Sequence, residues 1–102
     1  MIISSFFPGR IRLREEVFKD PVIVEECRKI LNSSDAVTKI ENNYRTGSVL
    51  LEYNPEKVPL EKLKPLVPFF QELEKLTHNY NAQKQKAILE KLAEFKKIVE
   101  NW

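Results

Sequence analysis

The side chains whose type and spacing could do chemistry are few: one cysteine, one histidine and a row of arginines in a chain of 102 residues. Soft-metal transfer needs two or more thiolates, or a thiolate with imidazoles, on a common centre. Cys27 is alone, so neither a disulfide nor a multi-thiolate site can form within one chain. It also falls in the apolar stripe of a helical pattern, which reads as a small buried hydrophobe. His78 lies in a polar stretch with Asn79, Tyr80 and Asn81 and reads as a solvated surface residue. The sharper alternative is a metal or haem carrier using His78, Tyr80 or Cys27.

Arg10, Arg12 and Arg14 alternate with Ile11 and Leu13, so an extended backbone puts the three guanidinium groups on one side. Lys39 and Arg45 are placed to extend this row. Arginine presents a fork of donors that suits carboxylate and phosphate, which makes the row a partner or anion-binding candidate. The plainer reading is a solvated sheet face paired with Glu41 and Glu52. A net charge of +2 is too small to draw nucleic acid by long-range attraction. The strand Ser48 to Tyr53 offers only Tyr53 for stacking a base, so backbone-type nucleic-acid contact is a secondary alternative. No Gly-rich phosphate loop or nucleophile elbow is present, and one histidine is a poor basis for acid–base catalysis. The chain reads as a non-enzymatic binding module.

These residues sit on elements that the sequence punctuates well. Ile2 to Phe7 and Arg10 to Arg14 are extended, and Pro8-Gly9 between them suggests a bulge or sharp bend in an edge strand. Asp20 is a good N-cap and Pro21 suits the first helical position. Ile23, Cys27, Ile30 and Leu31 then share one helix face. Strands are expected over Val37 to Asn42 and Ser48 to Tyr53, joined by a hairpin loop containing Gly47. Pro59 opens another helix, with Pro65 and Pro68 expected to break or kink it.

From Phe69 to the end there is neither Gly nor Pro. Two readings fit: a helical hairpin turning at Asn79-Tyr80-Asn81, or one helix of about 34 residues and roughly 50 Å. Ile88, Leu92, Phe95, Val99 and Trp102 are spaced by four, three, four and three residues, a seam that something must cover. The domain's own sheet is one cover. A homo-oligomer or a protein partner, with Phe95 and Trp102 as anchors, is the other.

In order along the chain stand Phe7-Pro8-Gly9-Arg10-Ile11-Arg12-Leu13-Arg14, a helix, Ala36 to Asn43, and Thr46-Gly47-Ser48-Val49-Leu50-Leu51-Glu52-Tyr53-Asn54-Pro55. This pattern resembles the divergent heavy-metal-associated (HMA-like) domain, with its Pro-Gly-Arg-x-Arg strand and Thr-Gly-Ser hairpin. The resemblance covers about residues 2–66. It implies an α+β, ferredoxin-like βαββαβ fold and a place in metal or cofactor handling, with a membrane transporter as one kind of partner. Two departures stand out. The Cys-x-x-Cys of metal-carrying relatives is absent, and the segment of the fourth strand, after Leu66, reads as helix. The expectation is therefore a βαββα core over residues 1–66, its fourth strand missing or replaced, and a helical extension over residues 67–102. No cofactor is assigned. With no signal-peptide pattern and no apolar run long enough to span a bilayer, the expected location is cytoplasmic.

Overall fold

The computed structural model describes residues 2–102. Two strands, β1 (Ile3–Phe7) and β2 (Arg10–Arg14), come first, followed by a 3₁₀ turn at Glu16–Lys19 and helix α1 (Pro21–Asn32). Strands β3 (Val37–Asn43) and β4 (Ser48–Tyr53) follow, then the short α2 (Leu60–Leu63) and the longer α3 (Leu66–Thr77) and α4 (Gln85–Glu100).

The four strands form one antiparallel sheet in the order β1-β2-β4-β3. Strands β2 and β3 are both antiparallel to β4, so they run parallel, with α1 crossing between them. That is the split β-α-β of a ferredoxin-like fold. In a βαββαβ chain the last strand would complete the sheet beside the first. Here β1 fills that edge, so the expected fourth strand is replaced from the opposite end of the chain.

The hairpin that achieves this was expected as a bend within one strand. Instead the chain reverses: Phe7 pairs with Arg10 across Pro8-Gly9, and Gly9 has φ +87°. Proline followed by a residue with positive φ is the order of a type II turn. The irregularity lies further back, between Ile3 and Ser5. Ser4 Oγ donates to the Arg12 carbonyl at 3.2 Å, a further tie across the hairpin.

Helix α1 starts as expected. Asp20 Oδ1 accepts from the Val22 N–H at 2.9 Å, with Pro21 at the first helical position. Asp20 Oδ2 also accepts from the Tyr80 hydroxyl at 2.6 Å and from Gln85 Nε2 at 2.9 Å. The cap of α1 is thereby tied to the start of α4. Partial burial on its own would raise the Asp20 carboxyl, but the bonds from Tyr80, Gln85, Val22 and Ile23 outweigh it and hold it below its ordinary value.

Pro65 separates α2 from α3, as expected of a proline. Pro68 does not break the helix, because it falls in the first turn of α3, where its missing N–H would have had no intrahelical partner. The helical region is a hairpin, not one long helix. After Thr77 the chain leaves the helix at His78, passes through Asn79 with φ 53°, and re-enters through a 3₁₀ turn capped by Asn81. Asparagine tolerates that left-handed conformation better than most residues.

Helix α4 packs against both α1 and α3. Lys91 pins the hairpin from outside by pairing with Glu72 of α3 and Glu94 of its own helix. One hydrophobic core contains Ile11 and Leu13 of β2, Val49, Leu51 and Tyr53 of β4, and the inner faces of α1, α3 and α4. The helical segment thus shares its core with the strands. Val17 and Phe18, in a 3₁₀ turn with no periodic signal in the sequence, are buried in that core.

Candidate recognition surface

With the helices on one side, the other side of the sheet is open. Strand β2 alternates strictly: Ile11 and Leu13 are buried and Arg10, Arg12 and Arg14 are exposed. The register supplies their neighbours. Arg10 lies across from Glu52 and Phe7, Arg12 across from Leu50 and Ser5, and Arg14 across from Ser48. Cross-strand partners share a face, so Phe7 stands beside Arg10 on the open side, 65% exposed. Sequence reasoning missed Phe7, and a hairpin turn at Pro8-Gly9 would have placed it.

The arginines recur about every 7 Å along the strand, a spacing that keeps mutual repulsion in water below about 1 kcal/mol. Among the described residues none of Arg10, Arg12, Arg14 or Arg45 has an ion-pair partner within 4.0 Å. Glu41 is taken instead by Lys39 at 2.9 Å, and its hydrogen bond and charge hold the Lys39 ammonium above its ordinary value. The plain reading paired the arginines with Glu41 and Glu52. Among the described residues the geometry leaves these guanidinium groups outside any ion pair, Glu52 lying across from Arg10 without pairing to it. Arg45 sits in the β3–β4 turn, which is shaped by Asn43 accepting from the Arg45 N–H at 2.9 Å. Arg12 also lines an open cavity of about 270 Å³ with Glu41, Asn42, Asn43, Ser48 and Leu50.

The other candidates resolve differently. Tyr53, the one aromatic that β4 offered for stacking, points inward and is buried, its ring centroid 6.2 Å from that of Trp102. Cys27 is buried beside Leu13, Phe18, Leu31 and Phe95, and burial pushes its thiol up to about 12, with the nearby Glu26 adding to the effect. His78 is exposed at the end of α3, in a cavity with Gln71, Glu74 and Lys75. The structure does not bring the two together, since Cys27 faces the core and His78 faces solvent. Tyr80 is committed to Asp20. Among the described residues no group of three His, Cys, Asp or Glu side chains is arranged to hold a metal ion. The residues present do not fit a chelating site within one chain.

The apolar seam is also accounted for. Ile88, Leu92, Phe95 and Val99 are buried in the chain's own core, and Phe95 stacks on Phe69 with centroids 5.5 Å apart. Trp102 is half-buried against Tyr53, with its indole N–H lacking a hydrogen-bond partner among the described residues. These side chains were expected as an oligomer interface if they faced outward. The helical hairpin turns them inward, so they do not form an exposed docking stripe.

A split β-α-β sheet closed by an N-terminal hairpin, with helices on one side only, defines a small ferredoxin-like domain. The family model described as heavy metal associated domain 2 matches residues 1–102. The chain belongs to that family, and the match includes the helical hairpin beyond residue 66. No curated protein and no solved structure gives a significant match. No helix among the described residues is long and apolar enough to cross a membrane.

Proposed function

We propose that this domain is a non-enzymatic recognition module that binds an acidic segment of a protein partner on its open sheet face, within metal or cofactor handling. The observation that carries this reading is the arginine row: three guanidinium groups on one strand face, with no carboxylate among the described residues in an ion pair with any of them. Unpaired, regularly spaced forks suit carboxylates presented at strand spacing, and Phe7 beside Arg10 supplies an apolar contact. The family suggests the setting of metal handling. Cys27 and His78 supply no chelating pair, so surface recognition fits this chain better than carrying the ion.

The test uses a synthetic glutamate-rich peptide as probe, titrated by fluorescence anisotropy at two salt concentrations. Each contact at a partly desolvated interface is worth about 1 kcal/mol, so replacing Arg10, Arg12 and Arg14 by Gln together is expected to weaken binding about a hundredfold. Binding should also fall with added salt. Equal affinity of the triple variant and the native protein would sink the proposal. A single-stranded oligonucleotide bound tighter than the peptide, through the same arginines, would replace it by the nucleic-acid reading.

A further inference from the structure

The two edges of the sheet differ in a way that points to a second copy of this chain. At one edge, β3 carries Lys39 and Glu41, paired with each other at 2.9 Å. Charges are the usual protection of an exposed strand edge. At the other edge, β1 reads Ile-Ser-Ser-Phe-Phe, without a charge, and pairs with β2 on one side only. Among the described residues its outer N–H and C=O groups have no strand beside them.

The helix side of this strand opens on an apolar groove of about 280 Å³, lined by Ile3, Phe6, Leu60, Leu63, Val67 and Phe70. Phe6 is 41% exposed, Leu60 64% and Val67 50%, large apolar side chains gathered at one place. Lys64, the one charged residue lining it among the described residues, has a stem long enough to keep its ammonium in water.

We infer that this edge and its groove form the interface of a symmetric dimer, in which the β1 strands of two copies pair antiparallel about Phe6. Register and charge select the occupant. Phe6 pairs with Ile11 on the helix side, while Ser5 and Phe7 pair with Arg12 and Arg10 on the open side. A two-fold axis at Phe6 sets Phe6 against itself and Ser5 against Phe7, so every new cross-strand pair keeps its face. An axis at Ser5 would oppose Phe7, on the open side, to Ile3, which lines the groove on the helix side. An uncharged strand meets its own copy without like-charge repulsion. The two arginine rows end up three strand spacings apart, about 14 Å, beyond the screening length of about 8 Å at physiological salt. The inference does not depend on what the arginine face binds.

The test is sedimentation of the full chain from low to high micromolar concentration. A monomer–dimer equilibrium is expected, weakened at least tenfold by Phe6→Asp and unchanged by Val22→Asp on exposed α1 surface, with circular dichroism confirming that each variant is folded. A second variant works without destabilising the edge. Antiparallel partners have Cα atoms about 4.5 to 5.5 Å apart, within disulfide reach, so Phe6→Cys should cross-link two copies on mild oxidation while Val22→Cys does not. A native protein that stays monomeric at high micromolar concentration would overturn the inference, even if the groove took up a foreign peptide. A dimer indifferent to Phe6→Asp, or a Phe6→Cys protein that cross-links no better than Val22→Cys, would overturn it as well.

Discussion

Replacing Phe95 by Ala distinguishes a seam that builds one chain's core from a seam that joins two. Phe95 is 3% exposed and packs on two aromatic rings, stacked on Phe69 at 5.5 Å and tilted against Phe70 at 6.1 Å. Truncating a buried phenylalanine typically costs about 3 to 5 kcal/mol, and each lost aromatic pair accounts for about 0.5 to 1.5 kcal/mol beyond burial. We expect about 4 kcal/mol here, a large part of the roughly 5 to 15 kcal/mol that stabilises a domain of this size. With a urea slope of about 2 kcal/mol per molar, the unfolding midpoint drops by about 2 M. Both proteins are compared in the Phe6→Asp background, at two protein concentrations a factor of about ten apart, so that edge pairing does not contribute. An intramolecular core predicts the same loss at both concentrations. A loss under about 1 kcal/mol, or a midpoint that climbs with concentration, would refute the placement of α4 between α1 and α3.

Two further outcomes follow from local geometry. At Gly47, φ is +70° and an added Cβ would sit 2.3 Å from the Glu15 carbonyl oxygen; at Gly9, φ is +87° and the nearest atom, the Tyr53 carbonyl oxygen, is 3.2 Å away. Left-handed strain costs about 1 to 2 kcal/mol at either position, and the clash adds to it at Gly47, so thermal melts should show Gly47→Ala more destabilised than Gly9→Ala by at least about 1 kcal/mol. The reverse order would contradict the contact between the 3₁₀ turn and the hairpin. Burial raises the Cys27 thiol from 9.0 to about 12, so its contribution to stability is complete below the unfolded value and is lost as pH rises towards the folded one. At pH 11 that loss is about 3 kcal/mol relative to pH 8, and Cys27→Ala removes it. Denaturant melts of the two proteins that stayed parallel across this range would show that the thiol is not buried.

The elements legible in the sequence were those fixed by local chemistry. Asp20-Pro21 marked the start of α1, Gly47 the turn between β3 and β4, and Pro65 the break before α3. What the sequence concealed depended on partners distant in the chain. The 4-3-4-3 spacing of Ile88 to Trp102 announces an apolar face, but whether α1 and α3 or another molecule covers it is decided only when the hairpin closes. The buried turn at Val17-Phe18 lacks any period to detect. Two signals were present and misweighted. Pro8-Gly9 between extended runs is the chemistry of a hairpin turn, and reading it as a bend hid both β1's partner and the exposed Phe7. Strand parity already put Tyr53 on the side of Val49 and Leu51, so its inward aim was available from β4 alone.

The replaced strand accounts for which side chains this chain buries and which it displays. In a βαββαβ chain the segment after the second helix must return to the sheet as its last strand. Here β1 already occupies that edge, so the chain after α3 is free to turn back as α4. Helix α4 slots against α1 and α3, its seam completes the core, and Tyr80 and Gln85 lock its start to the cap of α1. That packing encloses Cys27, where the thiol is held in its protonated form. With the helices gathered on one side, the opposite face is left uncovered, and β2 displays its three arginines there beside Phe7. A sheet built in this order trades a return strand for a helix, and in doing so it buries the thiol and exposes the guanidinium groups.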